Sequence, residues 1–169
     1  MKKTSLRLDE IKLIGITVRT NNEAEFGKLT GKIFPCVQQY FQQQLFNKIS
    51  NRKNPGTTYC AYTDYESDHT GDYTYFIGET VNSFENVPAE LTTLTIPAQN
   101  YAKFTTNPGS MPEVLMNAWQ YIWETSTTQT LGGSRRYETD FEVYDERAAD
   151  QQNMVLDIFI GINTTATSK

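Results

Sequence analysis

Three carboxylates occupy alternate positions in a short stretch near the C-terminus, RRYETDFEVYDER over residues 135–147. If the stretch is extended, one side of the strand carries Glu138, Asp140, Glu142 and Tyr144. The opposite side would then face the core with Tyr137, Thr139, Phe141 and Val143. A buried carboxylate costs on the order of several kcal/mol unless it gains a partner, so a fold keeps one to receive a cation or to transfer a proton. The acidic side is therefore either a solvated sheet face or the wall of a pocket.

Two tryptophans four residues apart, Trp119 and Trp123, would share one face of a helix. One interpretation is that they seal this helix against a sheet, and the other is that at least one indole lines a cavity. The ten tyrosines of the chain favour a cavity or an interface, because a buried phenol needs a hydrogen-bond partner. Aromatic rings around a buried carboxylate would form a site for a cation.

Other reactive patterns in the sequence are weak. His69, the only histidine, lies in ESDHTGD with nothing nearby to orient it in a catalytic triad. This loop lacks the central glycine and closing glutamate of a calcium site, so we expect a solvated turn that contains Asp64, Glu66, Asp68 and Asp72. The glycine pair in LGGSRR precedes a strand instead of opening a helix, unlike a phosphate-binding loop. The sequence therefore predicts neither a metal site nor a cofactor.

Length and charge limit the classes of function. The chain has 169 residues, enough for one domain with its own core, and carries a net charge of −5 with a sequence pI near 4.9. Binding to a phosphate backbone needs a basic face, so we expect no direct contact with nucleic acid. Cys36 and Cys60 form neither a disulfide framework nor a zinc motif, which fits a reducing compartment. Residues 1–13 lack the apolar run of a signal peptide, and the sequence predicts a cytoplasmic protein without a membrane span.

Hydrophobic patterns divide the chain into strands and two main helices. A first strand is predicted over residues 6–19, and Asn21 or Asn22 can cap the helical segment that follows. Helical spacing covers residues 23–49, irregular around Gly27 and Gly31 and firm from about Pro35, with an apolar stripe of Phe34, Val37, Phe41 and Leu45. The second helix is predicted over residues 111–124. Further strands are predicted over residues 58–64, 72–81, 91–105 with a bend at Pro97 and Ala98, 137–144 and 155–162.

The order of these elements is β-α-β-β followed by β-α-β-β, which places the chain in the α+β class. We expect one domain over residues 1–162, with halves of about 1–85 and 86–162 that share element order without visible sequence identity. Two such βαββ units would build an antiparallel sheet about a pseudo-twofold axis, with a ligand cleft where they meet. Residues 163–169 are polar and are predicted to be a disordered tail.

Several segments resemble the GyrI-like small-molecule-binding domains, which also serve as effector-binding domains of AraC-type and MerR-type bacterial regulators. The resemblance covers residues 6–162, and it is carried by YCAYTDYESDHTGDYTYFIGETV (59–81), VPAELTTLTIPAQNYAKFTT (87–106), AWQYIW (118–123), YETDFEVYDER (137–147) and LDIFIGI (156–162). It is most specific at the aromatic and acidic strand and at the paired tryptophans. No helix-turn-helix motif is visible in the 169 residues, so the expectation is the stand-alone form of the domain.

The resemblance implies a cleft between the two halves in which a glutamate on a late strand receives lipophilic cations or other hydrophobic compounds. Glu142 is the position that matches this acid, which favours the pocket wall over the solvated face. Tyr144 would share the cleft, and the opposing walls would come from Tyr75, from Tyr62 or Tyr65, and from Trp119 or Trp123.

Three functions follow as hypotheses. The first is a binding module for lipophilic, cationic or aromatic small molecules. The second, implied by hydrolases among GyrI-like proteins, is hydrolysis of cyclopropane-bearing genotoxins with Glu142 as the base that activates water. The third is modulation of a protein partner such as gyrase through the acidic loop at residues 64–72. The sequence favours the binding module over the hydrolase.

Overall fold

An antiparallel sheet and two main helices organise the chain, as predicted for the α+β class. The computed structural model describes residues 1–26 and 30–164. Within these residues the sheet has nine strands: β1 (Lys2–Leu8), β2 (Ile11–Asn21), β3 (Thr58–Thr63), β4 (Asp72–Thr80), β5 (Thr92–Ile96), β6 (Gln99–Thr105), β7 (Ser134–Arg135), β8 (Thr139–Tyr144) and β9 (Asp157–Asn163). The helices are α1 (Asn22–Glu25), α2 (Ile33–Gln42), α3 (Glu113–Thr125) and α4 (Thr128–Leu131), with 3₁₀ turns at Leu45–Lys48 and Glu146–Ala148.

The strands follow one another across the sheet in the order β1-β6-β9-β8-β3-β4-β2-β5, and β7 pairs with β9 beside this path. Outward from the central β8–β3 pair, the sheet continues with β9 and β6 on one side and with β4 and β2 on the other. On each side these strands come from the last and then from the first strand predicted for that half. The strand of the main path that first follows the main helix of each half, β3 after α2 and β8 after α3, therefore lies at the centre. This arrangement brings residues of both halves together around one pair of strands.

The predicted first strand is wrong as a single element, because β1 and β2 are separated at Asp9 and Glu10. Leu8 lies opposite Gln99 and Ile11 lies opposite Ile96, so the β1–β6 and β2–β5 ladders continue each other without a shift of register. The interruption faces the predicted bend at Pro97, which has no backbone N–H to donate to a ladder. The two paired segments of the chain, residues 2–21 and 92–105, therefore bend at the same place.

The bend forces the sheet to curl. In a flat sheet β1 and β2 would lie roughly 30 Å apart, at about 4.8 Å for each strand spacing, whereas the connection from Leu8 to Ile11 can reach only about 11 Å. The two ends of the sheet must therefore approach each other. The enclosed face holds a core to which seven strands contribute, and its residues are Leu13, Ala61, Phe76, Ile96, Tyr101, Phe141, Val143 and Phe159.

Close approach of two glycines supports this curvature at the β2–β4 pair. Gly15 and Gly78 lie opposite each other, and a Cβ atom on Gly78 would overlap the carbonyl oxygen of Ile14. We expect Gly78→Ala to lower the free energy of unfolding by about 2–3 kcal/mol, because an added methyl group has no space without a backbone shift. Urea denaturation measures the loss. Thr92→Ala, at an exposed position opposite Gly15, is the control and should change the stability by less than about 0.5 kcal/mol.

The two main helices cover the other face of the sheet. Helix α2 packs on one cluster through Cys36 and Tyr40, and α3 packs on a second through Val114, Ala118, Trp119 and Ile122. Asn21 caps α1, since its side chain accepts a hydrogen bond from the Ala24 N–H at 2.8 Å.

The predicted stripe of α2 is only partly buried. Leu45, in the turn after the helix, is buried, whereas Phe34 is 69% exposed and Phe41 is also exposed. The helix ends at Gln42, earlier than predicted, and Gln44 then adopts a left-handed backbone conformation. Gly27 lies outside the described residues. The short elements α4 and β7 had no counterpart among the predicted elements, and the last strand extends to Asn163, so this first residue of the predicted tail is in a strand. Residues 165–169 lie outside the described residues.

Candidate functional site

Glu142 lies at the centre of the sheet, on the face that the helices cover. It is on β8 opposite Cys60 of β3, and it is 1% exposed. Its neighbour Phe141 points into the enclosed core, where its ring stacks on Phe159 at 4.6 Å between centroids. Both sides of β8 are therefore buried from Thr139 to Val143, because the curled sheet covers one side and the helices cover the other.

Three donors hold the Glu142 carboxylate. The hydroxyl of Tyr62 and the indole N–H of Trp119 both donate to Oε2 at 2.7 Å, and the hydroxyl of Tyr144 donates to Oε1 at 2.7 Å. These donors come from β3, α3 and β8, so both halves of the chain contribute. Such bonds to an ionised acceptor are short and about twice as strong as neutral ones. They fix the position of the carboxylate while leaving its charge uncompensated.

Burial and hydrogen bonding act in opposite directions on the pKa of Glu142. Burial raises the pKa above its ordinary value, whereas the bonds from Tyr144, Tyr62 and Trp119 lower it, and the net direction is upward. Burial, followed by the negative charge of Glu142, also raises the pKa of both Tyr62 and Tyr144. The phenols therefore remain neutral donors at physiological pH.

A cavity of about 1340 Å³ opens beside Glu142 between the two helices. Its wall includes all seven side chains that the sequence singled out: Tyr62, Tyr65, Tyr75, Trp119, Trp123, Glu142 and Tyr144. Apolar side chains complete the wall, from α2 on one side and from the segment around α3 on the other. They include Ile33, Phe34, Val37, Phe41, Met111, Leu115 and Met116. The exposed part of the α2 stripe thus borders the cavity, a role that the helical periodicity alone did not show.

Three of the predicted residues line the cavity without donating a hydrogen bond to Glu142. Tyr75 is buried, and its ring packs edge-on against Tyr62 at 5.5 Å. Trp123 is 39% exposed, and its ring lies 6.0 Å from that of Trp119. Tyr65 donates its hydroxyl to Asp140 at 2.7 Å.

Asp140 is an acid whose burial the sequence did not reveal. It is fully buried, and its Oδ2 accepts hydrogen bonds from Arg135 at 2.8 Å and from Tyr65, while its Oδ1 accepts from the Gly161 N–H at 2.8 Å. Glu138, two residues earlier, is exposed and pairs with Arg136. Two acids on the same side of one predicted strand thus have opposite environments, so the solvated interpretation holds for Glu138 and is wrong for Asp140.

A second buried acid that the sequence analysis missed is Glu79 on β4. It is 2% exposed, accepts a hydrogen bond from the Gly56 N–H at 3.2 Å and pairs with Arg52 at 3.4 Å. Burial raises its pKa, and Arg52 lowers it. Glu142 differs from Glu79 and Asp140 because no basic side chain in the described residues forms an ion pair with it.

The patterns judged weak in the sequence lie at the periphery. His69 is exposed at the rim of the cavity, and its carbonyl oxygen accepts a hydrogen bond from Asn22 at 2.9 Å. Over residues 1–26 and 30–164, no three His, Cys, Asp or Glu side chains are grouped so that they could hold a metal ion. No helix in the same residues has the length and apolar character needed to cross a membrane.

Comparisons with known proteins agree with this architecture. The chain is 27% identical over 155 residues to the putative transcriptional regulator protein YobU of Bacillus subtilis (strain 168). This alignment covers 92% of this chain and 94% of the relative. Its fold is similar to that of the integron cassette protein VCH_CASS2 from the mobile metagenome of Vibrio cholerae, with a TM-score of 0.73, 24% identity and 95% of each chain covered.

A further solved structure, that of SAV2435 bound to tetraphenylphosphonium, matches with a TM-score of 0.76 and 15% identity over 96% of this chain and 94% of that one. Residues 6–162 match the family profile of Cass2, described as an integron-associated effector binding protein. This match confirms the resemblance to GyrI-like effector-binding domains. The chain belongs to the Cass2 family of effector-binding proteins.

Proposed function

We propose that this protein binds lipophilic cations in the cavity beside Glu142. The observation that carries the proposal is a buried carboxylate with three neutral donors and, in the described residues, no cationic partner. An uncompensated buried charge is unfavourable in the empty protein. A ligand cation that enters the cavity relieves this cost and displaces water from an apolar wall.

The aromatic wall suits a bulky cation whose charge is spread over its surface. Tyr62, Tyr75, Tyr144 and Trp119 surround the carboxylate, and each ring face that contacts a cation contributes about 0.5–2 kcal/mol. Tyr65 and Trp123 would extend this wall. The structure of SAV2435 with tetraphenylphosphonium supports the same ligand class, since that protein shares the fold.

The proposed site lies in the cleft of a duplicated βαββ fold. The mirrored strand order on either side of the β3–β8 pair supports two similar units related by a pseudo-twofold axis. Each unit contributes one main helix to the sides of the cavity, and the floor comes from β3 and β4 of the first unit and β8 of the second. A ligand between them would contact both halves at once.

Binding is favoured over hydrolysis by the state of Glu142. A general base that activates water needs acceptor capacity directed at that water, whereas three of the roughly four acceptor sites of the Glu142 carboxylate already receive hydrogen bonds. Modulation of a partner such as gyrase stays a prediction that rests on the acidic loop alone.

A titration with tetraphenylphosphonium tests the proposed function. The Trp119 indole forms part of the wall, so binding should change the tryptophan fluorescence, and calorimetry on the same samples gives Kd. We expect saturable binding of one cation per chain with a Kd in the micromolar range. Absence of saturable binding at millimolar concentrations would contradict the proposal.

The affinity for this cation should depend on pH through Glu142. Because its pKa is raised above 4.5, the carboxyl group of the ligand-free protein keeps a proton over an interval in which a free glutamate has lost it. The cation must release this proton, so affinity rises as pH increases through the interval and levels off above it. The same shift lowers the stability of the ligand-free protein as pH rises through the interval.

Calorimetry in two buffers of different ionisation enthalpy measures the proton released on binding. Glu25, His69, Asp145 and Glu146 also line the cavity, so Glu142→Gln is the control that isolates the contribution of Glu142. Its residual binding should show no proton release in the interval. An equal proton release in the wild type and in this variant would contradict the assignment to Glu142.

A further inference from the structure

Arg135 is the one lysine or arginine that lines the cavity in the described residues, and cation binding gives it no role. It belongs to β7, which pairs with β9 at Ile162 beside the main path of the sheet. Its side chain is 9% exposed, so it is nine-tenths buried and still contributes to the cavity wall. The cavity wall therefore carries a buried cationic side chain in addition to the Glu142 carboxylate.

The guanidinium of Arg135 has more donors than partners. Of its five N–H groups, one from Nη2 donates to Asp140, which is the only hydrogen bond that this side chain makes in the described residues. Its Nε is buried without a partner. Tyr137 covers one face of the guanidinium, with its ring centroid 4.4 Å from Cζ. Buried donors without acceptors cost about 1–3 kcal/mol each, so an acceptor that reaches this group would be stabilised.

Asp140 determines the kind of acceptor that fits. Its carboxylate pairs with Arg135 at 2.8 Å and is itself held by the Tyr65 hydroxyl and the Gly161 N–H. The pair carries no net charge, and Glu25, Glu142, Asp145 and Glu146 make the rest of the wall acidic. An anionic group would be repelled by these carboxylates. A neutral carbonyl oxygen meets the same donors without this repulsion.

We propose that Arg135 forms a donor subsite for a hydrogen-bond acceptor of the ligand, so that the cavity prefers lipophilic cations that also carry a neutral carbonyl group. This inference rests on the proposed function, because Glu142 is taken to hold the cationic end. Asp140 and Glu142 are two residues apart on one side of β8, which separates them by about 7 Å along the strand. The preferred ligand therefore has its carbonyl oxygen on the order of 7–10 Å from the centre of positive charge.

Two phosphonium probes of equal chain length test the subsite. Hexyltriphenylphosphonium carries only the cation, and its 5-oxohexyl analogue adds a ketone at the required distance. A ketone is more strongly hydrated than a methylene group, so it weakens binding unless the site supplies a donor. We expect the affinity ratio of the ketone to the alkyl probe to be about tenfold higher in the wild type than in a variant without the subsite, since a bond to a charged donor contributes this much.

The variant is Arg135→Met combined with Asp140→Asn, which removes both charges together and leaves no buried ion unpaired. Arg136→Met is the matched control, because Arg136 pairs with exposed Glu138 and does not line the cavity. The control should keep the wild-type ratio. Retained binding of the alkyl probe shows that the double variant is folded and that Glu142 still interacts with the cation.

The outcomes separate this inference from the proposed function. If the alkyl probe binds normally and the ratio of ketone to alkyl affinity is the same in the wild type and the double variant, the Arg135 subsite alone is overturned. Weaker binding of the ketone than of the alkyl probe by the wild type would overturn it as well, whether or not the double variant folds. If the wild type binds neither probe, the proposed function is overturned together with the inference.

Discussion

Glu142→Gln should weaken the binding of tetraphenylphosphonium by about 30- to 100-fold, or about 2–3 kcal/mol, in the lower part of the range for a buried charge pair. Glutamine keeps the volume of the side chain. Its Oε1 can accept from Tyr62 and Trp119, while its NH₂ group faces Tyr144, whose hydroxyl can turn and accept. The substitution therefore removes the charge and largely preserves the packing.

Two controls make this result specific. Triphenylphosphine oxide, a neutral compound with similar aromatic surface, should bind the wild type and Glu142→Gln within about threefold of each other, since apolar burial does not depend on the charge. Glu138→Gln removes an exposed acid from the same segment and should change the affinity for the cation by less than about twofold. An equal loss for the neutral compound would indicate a packing defect in place of a lost charge interaction.

Asp140→Ala is expected to give the largest loss of stability among the single substitutions considered, about 3–5 kcal/mol. The substitution leaves the Arg135 guanidinium buried without its counterion, and it removes the acceptor of the Tyr65 hydroxyl and of the Gly161 N–H. A small domain has a total stability of about 5–15 kcal/mol, so this loss should lower the urea midpoint strongly.

Glu138→Ala is the matched control for stability. Glu138 precedes Asp140 by two residues and forms an exposed ion pair with Arg136, so its removal should cost less than about 1 kcal/mol. Urea denaturation of both variants compares the two acids directly. A loss below about 1 kcal/mol for Asp140→Ala would mean that Arg135 reaches solvent or another acceptor, which would contradict a buried Arg135–Asp140 ion pair.

Local patterns predicted the elements that carry the site. The alternation of β8 placed Phe141 in a core and Glu142 on the opposite side, and the spacing of Trp119 and Trp123 placed them on one helix face. These patterns depend on one element at a time. Periodicity leaves open whether Glu142 lies on a solvated face or in a cavity wall. The family resemblance decided in favour of the cavity wall.

The features missed from the sequence depend on contacts between distant elements. Asp140 is buried because Arg135, on a strand outside the main path, is brought back onto it by a turn in which Tyr137 has a left-handed backbone. Phe34 and Phe41 border a cavity because α3 leaves space opposite α2. The break in the first strand follows from Pro97, nearly ninety positions away in the sequence. None of these relations has a local signature.

We expect a bulky cation to enter the cavity and to lie beside Glu142. Tetraphenylarsonium is a close analogue of tetraphenylphosphonium, and arsenic can be located in a crystal by its anomalous scattering. We predict one strong anomalous peak inside the cavity, within about 6 Å of the Glu142 carboxylate or of the surrounding aromatic rings. A peak confined to the outer surface, with the cavity free of arsenic at saturating concentration, would contradict the account.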